Sequence, residues 1–102
     1  SGFGETVVRN TTEAAKWFRM AAELGDARGQ YRMGALHEAG NGVEKNLEIA
    51  YAWLRLAAAQ GSKPADQSLA RVALTLDLDA LASAKALSQT YWDLYVVPFQ
   101  GI

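Results

Sequence analysis

The side chains able to do chemistry are few, and they are scattered. His37 is the single imidazole among 102 residues, and beside Glu38 it would offer a general acid or a pH-sensitive group. One imidazole cannot build a multi-histidine metal centre, and the absence of cysteine removes thiolate metal sites, a cysteine nucleophile and a disulfide scaffold. Gly40-Asn41-Gly42 has the glycines of a phosphate cradle but lacks the lysine directly after them. No Ser-x-x-Lys or paired-carboxylate arrangement occurs, so no catalytic residue, metal or cofactor is assigned. Two groups of residues remain. Arg28 and Arg32, four apart, and Arg71 further on carry guanidinium groups that can hold a carboxylate by two parallel hydrogen bonds. Near the C-terminus, Tyr91, Trp92, Tyr95 and Phe99 with Val96 and Val97 form a denser aromatic cluster than chain closure requires.

Bulk properties favour binding over chemistry. Half of the residues are apolar, and ten basic against eleven acidic side chains give a net charge of −1. Lys and Arg are spread from Arg9 to Lys85, so no basic face for nucleic acid or an anionic membrane is expected. No apolar run approaches the roughly 20 residues of a membrane span, and Ser1–Asn10 lacks the pattern of a signal peptide.

The elements that must position these residues come from an internal repeat. Ala14–Gly25, AAKWFRMAAELG, lies over Ala50–Gly61, AYAWLRLAAAQG, at a shift of 36 residues. Ala14/Ala50, Trp17/Trp53, Arg19/Arg55, Ala21/Ala57, Ala22/Ala58 and Gly25/Gly61 are identical, while Phe18/Leu54 and Met20/Leu56 stay apolar. Such a period marks a stack of supersecondary units, each unable to bury both faces alone. Upstream, Asn10 falls over Asn46, and Gly2-Phe3-Gly4 matches Gly40-Asn41-Gly42 if two residues are added. On this reading the chain opens in a loop within a repeat, and any natural signal peptide lies upstream.

Apolar and small residues at helical spacing predict helices over Thr12–Leu24, Ala27–Ala39 and Leu47–Gln60. Asn10 with Glu13 reads as a capping box, Asn46, Asp26 and Ser62 as N-caps, and Gly25 and Gly61 as left-handed closures of the first-copy and second-copy helices. Trp17 and Trp53, equivalent and surrounded by alanines, read as core. A further helix starts at Lys63-Pro64-Ala65, with Leu69 and Ala70 over Met33 and Gly34. A last one runs from about Asp79 to about Val96, capped by Asp77 or Asp79 and ended by Pro98. Its apolar side, Leu81, Ala84, Leu87, Ser88, Tyr91 and Tyr95, would cover the last repeat. Ser83, Lys85, Gln89 and Asp93 would face out.

The combination Gln30-Tyr31-Arg32-Met33-Gly34, Gly40-Asn41-Gly42-Val43, Ala50-x-x-Trp53-x-x-x-Ala57-Ala58 and Gly61 resembles the Sel-like repeat (SLR), a relative of the tetratricopeptide repeat. The stretch from Leu74 to Leu87 is similar to the cap that closes bacterial members. The chain departs from the family pattern at His37, where tyrosine is common, at Gly29, where alanine is, and in a longer loop before Asn10. The resemblance implies an all-α fold, a right-handed α/α superhelical solenoid of antiparallel helix pairs with a C-terminal capping helix. It divides the chain into 1–25, the end of a truncated repeat; 26–61, one full repeat; 62–77, a degenerate repeat helix; and 78–102, the capping helix and tail.

The same resemblance implies a non-catalytic interaction or scaffold module, in bacteria often in signalling or envelope organisation, with a lean to a periplasmic or secreted location. Cysteine-rich relatives linked to β-lactam binding make an enzyme-like alternative, for which this chain lacks the residues. An architectural spacer without a ligand is the other. In tetratricopeptide-like solenoids the first helix of each pair lines the concave side, which here would carry Arg28, Arg32 and Ala35, then Pro64, Ser68 and Arg71. The expected partner surface is therefore Arg28, Arg32, Ser68 and Arg71, with Trp92, Tyr95 and Phe99 as a second area. The partner expected is a protein or peptide, with no nucleic acid and no membrane insertion. Self-association would run through the aromatic surface or the N-terminal repeat. His37 is expected to substitute for a tyrosine, its polar tip near the glycine loop.

Overall fold

A computed structural model describes residues 2–101, with side chains from Asn10 to Gly101. The described residues form five α-helices and no strand: α1 Gly2–Glu23, α2 Ala27–Ala39, α3 Leu47–Ala59, α4 Lys63–Thr75 and α5 Leu78–Tyr95, followed by a 3-10 turn at Val97–Phe99. Local chemistry accounts for most boundaries. Asp26, Asn46, Ser62 and Asp77 all stand in extended backbone and accept a hydrogen bond from a backbone N–H of the first turn, satisfying a donor the helix cannot pair itself.

The two copies of the repeat end alike. Gly25 and Gly61 have φ of 93° and 100°, values that disfavour a side chain. The next N–H then reaches back into the helix, Asp26 to the Ala21 carbonyl at 3.1 Å and Ser62 to that of Ala57 at 3.0 Å. The residue that donates this bond caps the following helix with its side chain. One turn thus closes a helix and starts its antiparallel neighbour.

The N-terminal expectation is corrected. Helix α1 runs back through Gly2, so the backbone at Gly2-Phe3-Gly4 is helical rather than a loop, and Asn10 sits inside the helix instead of capping it. Neither proline nor glycine lies between Glu5 and Glu13, and Asn costs an interior turn well under about 1 kcal/mol relative to alanine. Nothing there stops the helix.

Successive helices pack as antiparallel pairs, α1 with α2, α2 with α3 and α3 with α4, while α5 lies along α3. Close approach depends on missing side chains. A Cβ on Gly34 would stand 2.5 Å from Leu54 Cγ, and one on Gly29 2.7 Å from the Ala22 backbone nitrogen, so α2 meets α3 and α1 through its two glycines. Gln30, fully buried, ties three elements together: its amide donates to the Ala22 carbonyl at 3.1 Å and its oxygen accepts from Gln60 at 2.7 Å.

Two apolar clusters result. Tyr51, Leu54, Ala57, Ala65, Val72 and Ala84 join α3, α4 and α5, and Ala22, Met33, Trp53, Leu56 and Val96 join α1, α2, α3 and the end of α5. Trp53 is the largest buried side chain, with Tyr95 stacked on it at 5.2 Å between ring centroids and Tyr91 tilted against it at 4.8 Å. Trp17 corrects the expectation of a second core tryptophan, since it is 68% exposed. Helix α5 covers Trp53 on α3, and no described helix stands in that relation to α1. The molecule is a slab of 44 × 37 × 21 Å, with a radius of gyration of 13.8 Å, only slightly above the ~13 Å of a compact domain this long.

Candidate functional site

The arginines expected to act together are separated by the fold. Arg28 and Arg32 occupy successive turns of α2, and both border two adjoining depressions. One, of about 410 Å³, lies between α2 and the start of α4, with Tyr31 and Ala27 on one wall and Gln60, Gly61 and Pro64 on the other. The second, of about 330 Å³, lies between α1 and α2 and includes Phe18, Ala21 and Gly29. The two guanidinium groups thus stand on the α2 ridge between two depressions, each with a largely apolar lining. Arg32 is placed 5.9 Å above the Phe18 ring, within range of a cation–π contact.

Arg28 is weakly engaged. Its closest guanidinium contact with Asp26 is 3.3 Å, and its side chain remains 92% exposed. The Asp26 carboxyl is held below the ordinary carboxylate range chiefly by this hydrogen bond from Arg28, against an opposing push from burial. Asp26 is already occupied as the α2 cap, where it accepts from the Arg28 backbone N–H at 2.8 Å. The Arg28 charge therefore stays available to an incoming anion.

Arg71 is not available in the same way. It binds Glu38 through two hydrogen bonds of 2.8 and 2.9 Å, and its pKa is raised by that partner. The pair links α4 to α2 across the solvent face, where water and salt screen the attraction. Ser68, expected to face solvent, is buried and accepts a 3.2 Å hydrogen bond from the same Arg71. Arg71 and Ser68 thus serve the α2–α4 contact rather than the Arg28–Arg32 groove.

The aromatic area is divided too. Tyr95 is half-buried against Trp53, Phe99 lies at the Gly25 turn and stays 40% exposed, and half-buried Trp92 borders a separate pocket between α3 and α5. Burial raises the pKa of Tyr91, so that hydroxyl stays neutral. His37 sits where a tyrosine substitute was expected. It is buried, with Nδ1 2.9 Å from the Glu44 carbonyl oxygen of the loop, and burial lowers its pKa.

Gln60 and Tyr31, both groove residues, escaped the sequence reading. The signal was present at Gln60, which replaces Leu24 of the first copy at the same repeat position. Tyr31 entered only as part of the repeat pattern Gln30–Gly34. Among the described residues no group of three or more potential metal-binding side chains exists, and no helix is long and apolar enough to cross a membrane.

Comparison with known proteins agrees with this architecture. The model of the family described as Sel1 repeat matches residues 1–26 and 27–62. In Rattus norvegicus, DAP3-binding cell death enhancer 1 is 37% identical over 57 residues, covering 56% of this chain and 11% of the relative. A crystal structure of a protective antigen from uropathogenic Escherichia coli, which displays an SLR fold, superposes with a TM-score of 0.81 at 29% identity. That match covers 87% of this chain and 19% of the antigen. The chain therefore spans about a tenth to a fifth of the length of these relatives.

Proposed function

Because the chain belongs to the Sel1 repeat family, whose repeats generally mediate protein–protein interaction, we propose that it is a non-catalytic binding module for an acidic segment of a partner protein. The segment lies in the α2–α4 groove. Its carboxylates meet Arg28 and Arg32, and its apolar side chains rest against Tyr31 and Pro64. The observation that carries this reading is the pair of exposed guanidinium groups on the ridge of a groove with an apolar floor. Charge-assisted bidentate hydrogen bonds orient the segment, and the floor supplies the burial that makes binding more than ionic attraction. The rat relative carries a binding partner in its name, which fits a module of this kind and does not identify the partner here.

The test is titration of the chain with synthetic peptides that alternate glutamate and leucine, followed by isothermal calorimetry. Arg28→Glu with Arg32→Glu is expected to weaken binding at least about tenfold, roughly 1.4 kcal/mol. Arg71→Gln, outside the groove, is expected to leave it nearly unchanged. Equal affinity for the doubly reversed protein and the unaltered one would place binding outside this groove, and no binding to either would favour the spacer reading, in which the repeats hold other parts of a protein apart.

A further inference from the structure

A second pocket lies between α3 and α5, away from the Arg28–Arg32 groove. It measures about 260 Å³ and is bordered by Arg55 and Leu56 of α3 and by Lys85, Gln89 and Trp92 of α5. Two cations stand at its rim. Among the described residues neither has an ion-pair partner, and Arg55 makes only a long 3.4 Å hydrogen bond to the Tyr51 hydroxyl. One carboxylate is near: Asp93 accepts from the Gln89 amide at 3.0 Å and fixes that side chain along α5. The local balance remains positive.

Apolar surface stands beside these polar groups, at Ala59 of α3, while Leu56 lies buried behind it and the Ser88 hydroxyl is used internally, donating to the Ala84 carbonyl at 2.7 Å. Half-buried Trp92 forms one wall. Charge and apolar surface therefore meet within a space too small for a helix or strand but adequate for one terminal residue.

We propose that this pocket binds the C-terminal carboxylate of a partner polypeptide whose last residue is apolar. An α-carboxylate carries its own side chain on the adjacent carbon, so a single residue can turn its charge toward Arg55 and Lys85 and rest its side chain against Trp92 and Ala59. A glutamate or aspartate within a chain brings charge without that apolar group. Capture of a terminal carboxylate is a recurrent mode of peptide recognition, and a guanidinium suits its planar pair of oxygens. The site has one copy among the described residues. Arg19 repeats Arg55 at the 36-residue shift, but Lys85 and Trp92 belong to α5 alone.

The experiment uses the 102-residue chain and follows the indole N–H resonances by NMR, with Trp92→Phe to assign Trp92. The probes are acetyl-Gly-Gly-Leu-Phe with a free carboxylate, the same peptide as its amide, and acetyl-Gly-Glu-Gly amide. The free acid is expected to shift the Trp92 resonance saturably, with both amides at least about fivefold weaker. Arg55→Gln with Lys85→Gln is expected to weaken the free acid to a similar degree. Both residues are exposed, so an unchanged helical circular dichroism spectrum should accompany that loss. Arg28→Gln with Arg32→Gln should leave this binding intact, which separates the pocket from the groove. The proposal is overturned if the amide of the first peptide binds as well as the acid, if Trp92 shows no saturable shift, or if binding is lost only with Arg28 and Arg32.

Discussion

Trp17 and Trp53 hold the same place in two copies of one repeat, in neighbourhoods of matching alanines, yet 68% of the first is exposed and only 1% of the second. The difference lies outside the repeat. Trp53 is enclosed because α5 lays Tyr91 and Tyr95 upon it, and Trp17, exposed like Met20 on α1 and Leu24 just after it, meets no such described helix. A repeat position specifies a side chain able to be core. Whether it becomes core depends on the next layer.

The largest expected effect tests that comparison directly. Trp53→Ala should destabilise the chain by about 3–5 kcal/mol, a large share of the stability of an ordinary domain, because it removes an aromatic side chain and leaves a cavity under α5. Trp17→Ala should change stability by no more than about 0.5 kcal/mol. Urea denaturation followed by circular dichroism measures both. Comparable losses at the two sites would mean that α1 has a cover the contacts do not reveal.

A smaller effect separates α2 from α4, the two equivalent first helices. Position 34 is glycine in α2, pressed against Leu54, and the same position in α4 is exposed Ala70. Gly34→Ala should cost about 1–3 kcal/mol through overpacking against buried Leu54, despite the gain in helix propensity. Ala70→Gly should cost about 1 kcal/mol, from propensity alone. Stabilisation by Gly34→Ala would show that α2 and α3 can separate at little cost.

The smallest effect is pH-dependent and again contrasts these helices, because α4 has Ala73 where α2 has His37. With Nδ1–H donating to Glu44, the neutral ring leaves a buried Nε2 that has no partner, and protonation would place a proton there without an acceptor. The folded-state pKa of His37 is therefore lowered by burial, and the folded chain binds fewer protons than the unfolded one. Stability is full above the unfolded value of about 6.5 and falls as pH drops toward the folded value. Unfolding midpoints measured between neutral and mildly acidic pH should decline, and His37→Tyr should flatten that decline. An unchanged slope in the variant would assign the acid sensitivity to carboxylates instead.

Much of the fold was legible because it is locally encoded. Asp26, Asn46, Ser62 and Asp77 cap helices by bonds that span only a few residues, and Gly25 and Gly61 close them by their own backbone freedom. The N-terminus was misread for the converse reason. Asn10 aligned with Asn46, but a capping residue acts only where the chain leaves the helix, and no breaker forces α1 to do so. The candidate site was legible in residue type and less so in grouping. Arg28 and Arg32 share a face through helical spacing, as do Lys85 and Trp92, whereas Arg71 finds Glu38 and Trp92 finds Arg55 only across helix contacts.

By itself, the amino-acid sequence determined the helical repeat, its caps and its antiparallel turns, since each rests on residues within one or two turns of one another. Tertiary structure alone decided which tryptophan is buried, that Arg71 is taken up by Glu38 and where a pocket opens. Those outcomes depend on which helix lies alongside, and proximity between distant segments is set by packing rather than by any single repeat.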